Sequence, residues 1–159
     1  ILALLTTPLL DQFLRMILNE SNEWANEQVS RLTAVTGERV PDVWSFHVDS
    51  SDAPAVMAVL NAEGRVVLGD LLRDPRDRDR PLECLPLLLV RRNEEAFLFP
   101  DDELVLEAGD EILFSGKGWV MERMKWSLQN HNALRYVQTG EEHASGYLWR
   151  RFVGEKVQG

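Results

Sequence analysis

From Thr7 to Val35 the apolar residues return every three or four positions: Leu10, Phe13, Leu14 and Ile17, then Trp24, Ala25, Val29, Leu32 and Val35. That rhythm predicts one long or two consecutive amphipathic helices from Pro8 to Val35. Thr7 is placed to cap the first turn and Pro8 is tolerated within it. An apolar stripe needs a cover, and the pattern leaves open whether that is the chain's own sheet, a second subunit or a preceding domain. Gly37 to Pro41 ends the helical stretch, and Val43 to Val48 alternates as a strand. A short helix is predicted from Pro54 to Leu60, with Asp52 as its cap and Val56, Val59 and Leu60 facing inward. Asn61 to Gly64 closes it, and Val66 to Leu72 leads into a run of alternating charge, Arg73 to Arg80.

From Leu85 to Gly116 the period shortens and the grammar becomes that of strands. Leu85 to Val90 is apolar, Arg91 to Glu95 is a polar turn, and Phe97 to Phe99 closes on Pro100. Asn93 is the residue of that turn best suited to left-handed backbone. Leu104 and Leu106 then alternate with polar neighbours. Glu107-Ala108-Gly109-Asp110 supplies a turn, because glycine takes positive φ and aspartate accepts from nearby amides. Ile112 to Phe114 is a second β-prone run that stops at Gly116, so a meander of short strands is expected. After Gly118, Val120, Met124 and Leu128 fall on one face of a helix. Leu134 to Val137 reads as a further strand, and the stretch from Gly140 to Gly159 is short on regular pattern.

Taken in order, Val67 to Leu72, Leu88-Leu89-Val90-Arg91, Phe97-Leu98-Phe99-Pro100 and Leu106 to Gly116 resemble the TrkA C-terminal (RCK C-terminal) domain family. The resemblance covers roughly Val43 to Gly116. It departs from the family pattern in two places: the turn after Arg91 lacks a glycine, and Arg73 to Arg80 lengthens the connection from helix to strand. The resemblance implies an α+β fold, with a small, mostly antiparallel sheet and a short packed helix, flanked by N-terminal and C-terminal helices. Residues 1–37 are then a helical arm leaving a preceding domain, 43–116 the regulatory domain and 117–159 a helical extension. Gly69, Pro100, Gly109, Asp110 and Gly116 carry the fold signature. The implied role is ligand-responsive control of a potassium channel or transporter by a homodimeric module attached to a nucleotide-binding RCK domain. The alternatives are a constitutive dimerisation module that senses nothing, and a regulatory domain on a transporter for another ion or an organic anion.

Composition narrows the partners. A formal net charge of -9 disfavours nucleic acid and anionic lipid, both of which demand a basic surface. The longest apolar run, Leu85 to Val90, is far short of the ~20 residues that span a bilayer. The start at Ile1 lacks a methionine and a basic leader, so the chain reads as part of a longer protein. A cytoplasmic module tethered to the inner face of a membrane through that parent is the expected setting. The single cysteine, Cys84, excludes an internal disulfide and reads as a packed thiol between Pro81 and Pro86.

No catalytic constellation stands out, so no enzyme activity, cofactor or metal is expected. His47, His131 and His143 are scattered, without metal-ligand spacing. Ser115 to Gly118 lacks the Gly-x-x-x-x-Gly-Lys-Ser/Thr frame of a phosphate loop. Asp101-Asp102-Glu103 reads as a solvated turn and Arg73 to Arg80 as a solvated loop of mixed charge. The remaining candidates for a small anionic ligand are Arg73, Arg91 and Arg92, because guanidinium groups grip anions with forked hydrogen bonds.

Overall fold

The computed structural model describes residues 7–19, 23–24, 26–28, 30–31 and 42–140. The architecture is α+β. Helix α1 (Thr7–Leu18) precedes strand β1 (Asp42–His47), helix α2 (Pro54–Asn61) and the single turn α3 (Leu68–Leu71). A small hairpin, β2 (Arg73–Asp74) and β3 (Asp77–Pro81), leads to β4 (Cys84–Val90), β5 (Ala96–Leu98) and β6 (Glu111–Gly116). Helices α4 (Gly118–Gln129) and α5 (His131–Thr139) complete it. Residues 23–24, 26–28 and 30–31 are helical, while the expected helical positions Leu32 to Val35 lie outside the described residues, as does the stretch 141–159.

The main sheet is antiparallel with order β1-β6-β4-β5. The stretch from Leu85 to Gly116 is therefore not the expected meander, because β6 pairs with β4 on the side away from β5 instead of following β5. The composition of β4 explains its central place. Every residue from Cys84 to Leu89 is buried, and a strand covered on both faces carries a continuous apolar run. A bulge between Pro86 and Leu88 breaks the alternation, so that Leu85, Leu87 and Leu88 all belong to one face while Cys84 and Leu89 belong to the other. Pro86, which has no N–H to give a ladder, sits at that bulge.

Each face has its own cover. On one, Leu9 and Phe13 of α1 bury against Leu85, Leu87, Leu88 and Leu113. The sheet thus covers Phe13 of the expected stripe, with Leu10 and Ile17 partly buried beside it, whereas Leu14 stays exposed and Leu9 enters the core in its place. On the other, Trp44, Phe46, Ile112 and Phe114 join Val56 of α2, Leu68 and Leu71 of α3, Val120, Met124 and Leu128 of α4 and Leu134 of α5 in one cluster. The helices after Gly118 share this core with residues 42–116.

Several local expectations are corrected. Leu104 to Leu106 is not a ladder strand: Val105 makes an isolated bridge with Val67, and Leu68 N donates to Leu104 O while Leu106 N donates to Val66 O. Leu134 to Val137 is helical, because Asn130 caps α5 through its side chain, accepting from Ala133 N at 3.0 Å, and Gly140 ends it at φ 82°. Asp52 does not cap α2. Ala53 holds that position, and the Asp52 carboxylate accepts from His47 N at 2.9 Å. In the turn after β4 the left-handed residue is Glu94, with φ 71°, whereas Asn93 Oδ1 accepts from Glu95 N.

The charged run Arg73 to Arg80 is exposed over most of its length, as expected, but it is a hairpin rather than a loop. Two of its charges turn inward. Asp74 accepts from Arg123 Nη1 of α4 at 2.8 Å, and Arg78 Nε donates to Val137 O at 3.1 Å. A cation on the carbonyl end of a helix meets the negative pole of its dipole, so Arg78 fastens the hairpin to the end of α5.

Candidate functional site

The β2–β3 hairpin forms one side of a cleft of about 720 Å³, within the size range of small-molecule sites. Leu82, Cys84 and Leu85 line it at the start of β4, and Gly69, Pro100, Asp102 and Glu103 line it as well. The sequence places these near one another for a physical reason. Gly69 opens α3 and its N–H donates to Asp102 O at 2.8 Å, so the turn after Pro100 is tied directly to the helix that leads into the hairpin.

Three arginines reach the cleft, Arg31, Arg73 and Arg78, and they are not equivalent. Arg78 is held by the carbonyls of α5. Arg31 donates to Gln28 Oε1 at 2.8 Å. Arg73 is exposed, and within the described residues its guanidinium has neither a hydrogen bond nor an ion pair. It is the cation of the cleft with its donors unspent. Asp79, Asp102 and Glu103 contribute acceptors, so the lining offers donors and acceptors together. Cys84 is buried, and its thiol is pushed up to about 12, chiefly by burial and then by the Asp102 carboxylate. A thiol held protonated in this way packs and does not attack.

The other two predicted arginines lie at the far end of β4, a strand spanning about 20 Å. Arg91 is consumed by structure. Its Nη2 donates to Val105 O at 2.7 Å, its Nη1 pairs with Glu107, its Nε faces Asp110 Oδ1 at 3.7 Å, and it lies over the Phe97 ring. Arg92 is exposed and lies against the bare face of Gly109. The three arginines therefore form no single site.

The signature residues have visible tasks. Gly109 takes φ 91°, and its N–H donates to Val48 O at 2.8 Å. Asp110 is fully buried and accepts from Glu107 N at 2.8 Å. Burial pushes its carboxyl up, opposed by that amide bond and by Arg91. Gly116 pairs with both Asp42 and Cys84, and a Cβ there would meet Cys84 Cα at 2.7 Å. Pro100 is buried and lines the cleft. Sequence reading missed Arg78 and Arg31 as neighbours of Arg73; for Arg78 the sign was the alternating charge of the run itself, in which only one side of a strand can face inward, whereas Arg31 comes from a helix distant in sequence and carried no sign.

Among the described residues no group of three or more His, Cys, Asp or Glu is arranged to hold a metal ion, and no helix is long and apolar enough to cross a membrane. Comparison with protein-family models, with curated proteins and with solved structures gives no match.

Proposed function

We propose that this chain is a ligand-responsive regulatory module, resembling the TrkA C-terminal domain, that biases a potassium channel or transporter as a homodimer. The transport side rests on the resemblance carried by Leu88 to Arg91, Phe97 to Pro100 and Leu106 to Gly116. The ligand side rests on one observation, the cleft beside the β2–β3 hairpin in which Arg73 has no hydrogen bond or ion pair among the described residues. A small anion is the chemistry that a free guanidinium recognises, and Asp102 and Glu103 accept from any donor groups that the same ligand carries. Binding biases a gate only through differential affinity for two states. The hairpin is the element to transmit that difference, being fastened to α4 by Asp74 and to α5 by Arg78.

Thermal unfolding of the chain against nucleotides, cyclic dinucleotides and divalent cations tests the reading. A compound that binds the folded state at a hundred times its Kd adds about 2.7 kcal/mol and raises Tm by mass action. Arg73→Ala is expected to remove that rise, and Arg92→Ala to leave it intact. If no member of the panel raises Tm while the chain remains a dimer, sensing at the cleft is overturned. The constitutive dimerisation module then gains, a second reading favoured by the exposed Trp119 and Trp126.

A further inference from the structure

Helix α4 buries Val120, Met124 and Leu128 against the core and presents the opposite face outward. On that face stand Trp119 and Trp126, 49% and 41% exposed. Seven residues bring a helix round to within about 20° of its starting direction, so the two rings share one stripe pointing directly away from Leu128. Exposed tryptophan is ordinary when single; a pair in register on one helix is a surface. Trp119 is also held in place. Arg123 lies 5.1 Å over its ring, and Arg123 is anchored by Asp74 at 2.8 Å. An aromatic fixed before association loses little freedom on binding.

We infer that this stripe is the self-complementary face through which two copies of the chain associate, α4 lying antiparallel against α4. The inference rests on the homodimeric reading above and gives it a location. Charge selects the occupant. In an antiparallel pair the same flanks of the two helices meet, and the flank beside the tryptophans carries Glu122 and Lys125, which already pair with each other at 3.8 Å. A two-fold axis crossing α4 near Arg123 sets Glu122 of one copy opposite Lys125 of the other, and Trp119 beside Trp126. One opposite-charge pair is thereby repeated on both sides of the axis, as an isologous contact requires. An anionic bilayer, the other common resting place for exposed tryptophan, is disfavoured by the net charge of -9. The two half-exposed rings offer on the order of 200 Å² per copy, about a quarter of the ~800 Å² that each partner of a standard interface contributes. They form the apolar centre, and Glu122, Lys125 and Gln129 form the polar rim.

Sedimentation equilibrium of the whole chain tests this. The wild type is expected to dimerise. Trp119→Ser and Trp126→Ser should each raise the dimer Kd at least ~30-fold, as hot-spot truncations do, with the circular dichroism spectrum unchanged because both rings are surface groups, and with Tm lowered only at concentrations where the wild type is a dimer. Glu122→Lys should weaken the dimer, and adding Lys125→Glu should restore it, a rescue that a merely sticky surface does not give. A wild type that is monomeric at high micromolar concentration overturns the dimeric reading itself. A dimer unmoved by both tryptophan substitutions leaves that reading standing and overturns its placement on α4.

Discussion

Asp110 shows what a single residue contributes to this fold. Its carboxylate is buried beside a turn, takes the Glu107 amide, and faces Arg91 beyond hydrogen-bond length, so that Arg91 Nε and Asp110 Oδ1 have no hydrogen-bond partner. Burial raises its carboxyl above the ordinary value. A raised acid contributes stability fully below its unfolded pKa, near 3.8, and that contribution is lost as pH rises through the folded value. Asparagine keeps an acceptor for the Glu107 amide and does not titrate. The stability of Asp110→Asn relative to wild type is therefore expected to improve from pH 4 to pH 7, read from urea midpoints at both. Asp110→Ala instead leaves a buried amide without its acceptor and should cost about 1–3 kcal/mol throughout. The Gly109-Asp110 pair was legible in the sequence as a turn, because glycine and aspartate are there for local backbone reasons. The burial of the aspartate was not, since it depends on Arg91 arriving from the end of β4.

Elements were legible where their own residues decide them and misread where a partner does. Helix α4 follows from the spacing of Val120, Met124 and Leu128, and β4 from an unbroken apolar run. The β2–β3 hairpin was unreadable as a hairpin, because Arg73 to Arg80 has no apolar alternation. What folds it is the pairing of Asp74 with Arg123 and of Arg78 with the end of α5, both distant in sequence. Helix α5 was mistaken for a strand through four β-tolerant residues, although Asn130 and Gly140 framed it as a helix. Because Asp74 is nearly covered and Arg123 is its cation, Arg123→Met is expected to destabilise the protein by about 1–3 kcal/mol. Hydrogen exchange should quicken across 73–81 more than across β4, and a double-mutant cycle with Asp74→Ala should recover a coupling of about 1 kcal/mol.

At the scale of the whole molecule, α1 is a third layer, because Leu9 and Phe13 close the face of the sheet that the later helices leave open. Phe13→Ala is expected to lower global stability by about 3 kcal/mol, measured by urea unfolding with one transition for the whole chain. A helix acting only as an arm would unfold separately, and loss of its Phe13 would leave the sheet's midpoint in place. The α+β class could be read from alternating helical and strand periods, but the cleft could not, since it exists only where the hairpin, α3 and the turn after Pro100 converge. Strand order carries a further consequence. Among the described residues β1 is the first strand, and its ladder partner there is β6, residues 111–116, the last strand of that set. A polypeptide emerging from the ribosome can make the β4–β5 hairpin early, yet β1 must wait until Gly116 is free. Closing so long a loop before it is rewarded is slow. The sheet receives its middle strand last, and for that interval Trp44 and Phe46 are open to chaperones or to neighbouring chains.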